Sequence, residues 1–248
     1  QERPEWAATI HGTDDSAEKL ARKDQEIRLA DKVFVASSFT AQTLRDYPDS
    51  LPPVEVIPYG FPPPVENRTY DKATNRPLRA LFVGGLSQRK GIAETFEAVA
   101  PFGDRVELTI LGRKPTDKCA LLNDALKRHR YIPSLPHHEV LALMRTQDIL
   151  LFPSHFEGFG LVITEAMSQG TPVITTERTA GQDLISDGED GFLTNAGNVE
   201  GIVSVLDQLL SRPQDLAEHG RAASKKALSR PWDKYSQELA DAITTTIA

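Results

Sequence analysis

The residues best suited to chemistry lie in the stretch Phe152-Pro-Ser-His-Phe-Glu-Gly-Phe-Gly-Leu-Val-Ile-Thr-Glu-Ala-Met167. Its pattern predicts a strand ending near Pro153, a loop carrying Glu157-Gly158-Phe159-Gly160, and a helix that opens there. The two glycines let the backbone approach a ligand closely, and the free amides of Gly160, Leu161 and Val162 make the helix start an anion site suited to phosphate. Glu165 lies five residues into that helix, about 7.5 Å along its axis at 1.5 Å per residue. Its neighbours Leu161, Val162, Ile163, Ala166 and Met167 are apolar. A carboxylate there needs partners, and paired sugar hydroxyls are suitable ones. The alternative is a glutamate on the helix's one solvated stripe.

These residues need a frame that delivers a strand, a loop and a helix start to one edge. From Pro77 onward, Leu78–Val83, Val106–Leu111, Asp148–Phe152 and Pro172–Thr175 read as strands by length, branching and flanking glycine or proline. Helical patterns over Ile92–Ala100, Asp117–His129, His137–Thr146 and Gly160–Ser168 separate them. That alternation predicts an α/β fold, a Rossmann-like parallel sheet with helices on both faces, whose ligands sit beyond the carboxyl ends of the strands. Three further helices, Val199–Leu210, Pro213–Leu228 and Trp232–Ile247, follow in series, punctuated by Ser211-Arg-Pro213 and Ser229-Arg-Pro231.

The first part of the chain differs. Asp15–Leu29 has helical composition, Lys32–Ala36 and Val54–Ile57 are strand-like, and Pro58-Tyr-Gly-Phe-Pro-Pro-Pro64 is stiff and turn-rich. Residues 1–60 are too few for a doubly wound domain and are expected to be the end of one. Residues 61–76 are expected to be a linker, 77–230 the Rossmann-like domain and 231–248 a terminal crossover helix.

Composition excludes several classes. Among 248 residues the net charge is −7, and no lysine or arginine run could neutralise a nucleic-acid backbone. The longest apolar run, Val140–Met144, is far short of the ~20 residues of a membrane helix. A single cysteine, Cys119, cannot form an internal disulfide; it reads as a small buried hydrophobe and points to a cytoplasmic address.

The series strand, Pro-Ser-x-x-Glu-Gly-Phe-Gly, helix, Glu-Ala-Met-x-x-Gly-x-Pro-Val-Ile resembles the signature of family four of the retaining glycosyltransferases, which have the GT-B architecture. Val83-Gly-Gly-Leu-Ser-Gln-Arg-Lys-Gly91, Ile110-Leu-Gly112, Asp187-Gly-Glu-Asp-Gly-Phe-Leu193 and Trp232-Asp-Lys-Tyr235 extend the likeness, and Ala30–Ser37 with Ile57-Pro-Tyr-Gly60 resembles the last strands of the family's N-terminal, acceptor-side domain.

The resemblance implies that Glu165 holds the ribose of a nucleotide sugar. Glu157 and the amides of Gly158, Phe159 and Gly160 face the transferred sugar, with Gly84 and Gly85 at the first turn. Arg89 and Lys90 neutralise the diphosphate, whose charge grows as the glycosidic bond breaks, so no metal or other cofactor is expected. Tyr131, Ile132 and Leu135 flank the base or pack in the core. The acceptor would be a carbohydrate or a lipid-linked one, with peripheral membrane contact through a domain absent from this chain, which alone is expected to be a poorly active fragment.

Two positions depart from the family pattern. Gly85 stands where many members carry arginine, and Asp183 where a glutamate is frequent. His11 reads as an ordinary loop histidine. The competing readings are a non-catalytic nucleotide-sugar-binding module and a nucleotide-sugar epimerase.

Overall fold

The structure, a computed structural model, describes residues 3–10, 15–70 and 76–247. Elements follow in the order α1 (Ala17–Leu29), β1 (Val33–Val35), α2 (Ser38–Leu44), β2 (Val54–Val56), β3 (Leu78–Val83), α3 (Ile92–Val99), β4 (Val106–Leu111), α4 (Ala120–Leu126) and β5 (Arg130–Ile132). The second half contributes α5 (His137–Arg145), β6 (Ile149–Phe152), α6 (Leu161–Ser168), β7 (Val173–Thr176), α7 (Gly181–Leu184), β8 (Phe192–Thr194), α8 (Val199–Ser211), α9 (Leu216–Ser229) and α10 (Trp232–Ile247).

Strands β3 to β8 form a parallel sheet in the order β5-β4-β3-β6-β7-β8. Side chains alternate across a strand, and both faces of this sheet are apolar. On β3, Leu78, Ala80 and Phe82 join one core with Ile92 and Phe96 of α3 and Leu206 of α8. Leu81 of β3 and Leu150 and Phe152 of β6 join a second core with Ile163 of α6 and Ala223 of α9. Helices therefore cover both faces, as expected. The strand order reverses between β3 and β6, so the helices that follow these two strands diverge and leave a crevice at their carboxyl ends.

The six strands and eight helices anticipated from pattern are present within a few residues. The helix expected over Asp117–His129 is shorter, because the chain leaves it to pair Arg130–Ile132 with Thr109–Leu111 as an edge strand. Strands β5 and β8, three residues each, and helices α2 and α7 carried too little periodicity to be anticipated.

In the first part, β1 and β2 make a two-stranded parallel sheet, and Ser37 caps α2 by accepting from the Thr40 N–H. Helix α1 buries no residue. The 3-10 turn Pro4–Thr9 packs instead on the large unit, with Trp6 stacked 6.3 Å from Phe96 and Thr9 Oγ1 accepting from the Gln88 N–H at 2.9 Å. Of the segment expected to link the two parts, residues 71–75 lie outside the described residues. The rest is strapped to the sheet unit: the Val65 N–H donates to Ser168 O at 2.8 Å, and Arg68 reaches Gln169 O and Gln147 O.

Helix α10 crosses back to the first part. The Arg230 guanidinium donates to Pro58 O at 3.0 Å, the Phe61 N–H to Arg230 O at 2.8 Å, and the Tyr59 ring lies 5.7 Å from Trp232 and 5.2 Å from Tyr235. Gly60 allows this crossing, since a Cβ there would stand 2.5 Å from the Trp232 backbone. Among the described residues no helix is long and apolar enough to cross a membrane.

Candidate functional site

A cleft of about 540 Å³ opens at the β3/β6 switch point. Val83 and Phe152, the last residues of those strands, form its floor, Lys90 and Glu157–Val162 one wall, and Phe34, Ala36, Thr40 and Tyr59 of the first part the other. Most of the anticipated donor-site residues thus share one cavity.

Two backbone segments are locked together to build the first wall. Gly91 adopts φ +72°, and a Cβ there would come 2.0 Å from Pro153 O, so only glycine lets the turn after β3 lie on the loop after β6. The His155 N–H and the Ser154 hydroxyl then both donate to Arg89 O, at 2.9 and 3.0 Å. Behind them, Glu94 is fully buried and accepts from Gln88 Nε2 at 2.8 Å, pairs with His155 Nε2 at 2.9 Å and meets Arg3 Nε at 2.9 Å. Burial pushes its carboxyl up, but the His155 hydrogen bond, its own backbone amide and Arg3 outweigh that and hold its pKa below the ordinary glutamate value.

This clamp brings Lys90 Nζ onto Glu157 Oε2, with Arg89 NH1 3.4 Å from the same oxygen. Lys90 and Glu157 are each only 17% exposed. Burial depresses the Lys90 pKa, helped by Arg89 and opposed by Glu157. Arg89 is more open and also donates to Phe156 O at 2.8 Å. The cleft therefore holds a desolvated ammonium beside the start of α6, whose first amides lack intrahelical partners. Gly160, at φ +92° with a Cβ position 2.8 Å from the Phe152 ring, sets the entry angle of that helix.

At Gly158 a Cβ would meet only Thr40 Oγ1, at 3.9 Å, and at Gly85 it would meet nothing within 4 Å. Neither glycine is demanded by protein packing. Gly84, at φ +149°, donates its N–H to Leu111 O at 3.0 Å and so holds the first turn against β4.

Glu165 lies farther along α6, outside the cleft lining. It is 21% exposed, and its Oε1 pairs at 3.0 Å with Nε2 of His137, which opens α5. Among the described residues Oε2 has no hydrogen-bond partner. Tyr131 and Ile132, adjacent on β5, face opposite ways: Tyr131 packs on the core beneath α3 and α8, while Ile132 and Leu135 pack on the α6 side. They do not form one surface. His11 lies outside the described residues. Cys119 is buried at the start of α4.

Ser37, Ser38, Thr40 and His137 were not anticipated at the site. The Ser37 and Thr40 hydroxyls donate to Gly158 O at 2.6 and 3.0 Å, and Asp183 Oδ2 accepts from the Ser38 N–H at 2.9 Å while Oδ1 accepts from the Ser38 hydroxyl. Asp183 therefore anchors α2 to the cleft rim. Ser37-Ser38 was legible as a helix cap after a strand, but its partners lie more than 100 positions away in the chain. His137 likewise stands 28 positions from Glu165.

Comparison with known proteins places this geometry. Residues 67–227 match the family model "Glycosyl transferases group 1". A glycogen synthase of Mycobacterium tuberculosis is 30% identical over 161 residues, covering 62% of this chain and 39% of the relative. A D-inositol 3-phosphate glycosyltransferase of Corynebacterium glutamicum is 28% identical over 262 residues, covering 94% of this chain and 62% of the relative.

Among solved structures, sucrose-phosphate synthase from Thermosynechococcus elongatus superposes with a TM-score of 0.79 at 20% identity, over 97% of this chain and 65% of that one. HepE from Anabaena in complex with UDP-glucose gives 0.76 at 21%, over 93% and 68%. The chain spans 39% to 64% of the length of the curated relatives it matches. With a six-stranded sheet that reverses order over the candidate cleft, the architecture is the C-terminal half of a GT-B fold, and the chain belongs to the group 1 glycosyl transferases.

Proposed function

We propose that the cleft binds a nucleoside-diphosphate sugar and serves a transferase that passes the sugar, with retention at the anomeric carbon, to a carbohydrate or lipid-linked acceptor. The observation that carries this reading is the convergence of half-buried Lys90 and the α6 N-terminus on one switch-point cleft. Both offer positive potential to a diphosphate. When the bond from the anomeric carbon to the diphosphate oxygen breaks, the electron pair stays on that oxygen. Lys90, Arg89 and the amides at the start of α6 meet the growing charge in a site partly screened from water, and this stabilises the transition state more than the bound donor.

That role calls for no metal ion. The open positions at Gly158 and Gly85 supply the room a sugar and phosphates need against the backbone. Glu157, held by Lys90, faces the sugar, and the free Oε2 of Glu165 accepts from a ribose hydroxyl. An HepE structure contains UDP-glucose and a second contains UDP and glucose. They support a donor of this class here.

Calorimetry on Glu165→Ala tests the reading. Losing a charge-assisted hydrogen bond should weaken a nucleoside diphosphate by about 1.5–3 kcal/mol, roughly ten- to a hundred-fold. A folded variant with unaltered affinity across UDP, GDP, ADP and TDP would remove Glu165 from the site.

A further inference from the structure

A second cavity, of about 400 Å³, lies at the other end of the sheet, beneath the N-terminal ends of β3 and β6. Its lining includes four arginines, Arg68, Arg76, Arg79 and Arg145, in a chain whose net charge is −7. Two carboxylates, Glu66 and Asp148, accompany them. Asp148 is committed: it accepts from both terminal nitrogens of Arg76, at 2.6 and 2.8 Å, and from the Arg79 N–H at 2.7 Å.

Arg68 and Arg145 are held differently. Arg68 donates to Gln169 O at 2.7 Å, Thr171 Oγ1 at 2.6 Å and Gln147 O at 2.5 Å. Arg145 donates from Nε and NH2 to Gln169 Oε1, at 3.2 and 2.7 Å. Every one of these acceptors is neutral, and among the described residues neither guanidinium is paired with a carboxylate. Arg68 Nε is buried without a partner. The two cations grip opposite ends of one glutamine; burial lowers the Arg68 pKa, with Tyr70 and Asp148 opposing and Arg145 adding to the shift. The negative end of α5 accounts for one basic residue at position 145. It does not account for a second guanidinium facing it across a cavity.

We propose that this cavity is a second ligand site, taking the phosphate monoester of a small soluble molecule, with the dianion between Arg68 and Arg145. Two guanidiniums with neutral partners match a dianion in charge, and the donors they do not spend on the protein, on Arg145 NH1 and on Arg68 NH2, are left for phosphate oxygens. The volume exceeds what a bare phosphate fills and falls within the range of small-molecule pockets, which leaves space for the organic part of the ester. The site is independent of the donor cleft, because the two open at opposite ends of the same strands.

The test is thermal unfolding and calorimetry with inorganic phosphate and glycerol phosphate, against chloride at matched ionic strength. Wild type is expected to respond to both phosphates, and Lys90→Ala, whose donor cleft is compromised, to keep a response to both. Arg145 is exposed, so Arg145→Gln should fold normally and bind either phosphate at least tenfold more weakly, with Arg145→Lys between the two. A response kept in Arg145→Gln and lost in Lys90→Ala would place the anion in the donor cleft and overturn the proposal. An equal response to chloride would reduce it to screening and overturn it as well.

Discussion

Replacing Lys90 by alanine tests the reasoning about the donor cleft at its centre, because the same ammonium is asked to hold Glu157 and to meet a diphosphate. Both side chains are 17% exposed, so their attraction is less screened than that of a surface pair. Two unit charges ~4 Å apart attract by ~4 kcal/mol at an effective dielectric near 20. Desolvation of both groups takes back a large part of this. Arg89, 3.4 Å from Glu157 but 44% exposed, replaces little of what Lys90 supplies.

The balance is a loss of about 1–3 kcal/mol for Lys90→Ala, the range for leaving a buried acceptor without its donor. The coupling in a double-mutant cycle with Glu157→Gln should be about 1–2 kcal/mol. Exposed pairs give about 0.2–1 kcal/mol. Urea unfolding at neutral pH measures all four corners, with unchanged slopes as the check that the unfolded states match. In the same variants, Lys90→Ala should weaken a nucleoside diphosphate at least tenfold, about 1.4 kcal/mol, and leave the uncharged nucleoside nearly unaffected. Coupling below about 0.3 kcal/mol, together with equal losses for both ligands, would show a solvated turn and refute the argument.

Gly158→Ala should fold as well as wild type, since the added methyl has no protein atom nearer than 3.9 Å, yet bind nucleotide sugar more weakly by calorimetry while free nucleoside binds as before. Asp183→Ala removes two hydrogen bonds to Ser38 and should cost about 1.5–3 kcal/mol if both are lost, with faster hydrogen exchange over residues 33–44; unchanged exchange would detach α2 from the cleft rim. Glu94 has a folded pKa below its unfolded one, so its stabilisation is full above the ordinary glutamate range and is lost as pH falls toward the folded value. Glu94→Gln should therefore be less stable at neutral pH and show a flatter decline on acidification, read from urea midpoints between pH 3 and 6.

The donor side of the cleft was legible in the sequence because its parts are local. Pro153 to Glu165 encodes a strand end, two glycines and a helix start within thirteen consecutive positions, and each carries a backbone constraint that sequence periodicity or composition reveals. Lys90 was legible for the same reason, as the end of a glycine-bounded turn after β3. What Lys90 touches was not. Its pairing with Glu157 depends on Gly91 packing against Pro153 O, a contact between segments more than sixty residues apart.

Partnership across the chain was what tertiary structure alone decided. By sequence Glu165 reads as a ribose ligand or a glutamate on the solvated stripe; the fold gives one of its oxygens to His137 and leaves the other without a partner among the described residues. By sequence Asp183 stands where a glutamate is frequent, and only the packing of α2 shows its carboxylate turned to the backbone and hydroxyl of Ser38. Periodicity assigned four of the sheet's six strands and so the end at which a ligand binds, because alternation and helix caps are properties of neighbouring residues. The strand order, the reversal between β3 and β6, and the pairing of charges over that crevice follow from which apolar faces bury one another, a property of the whole chain.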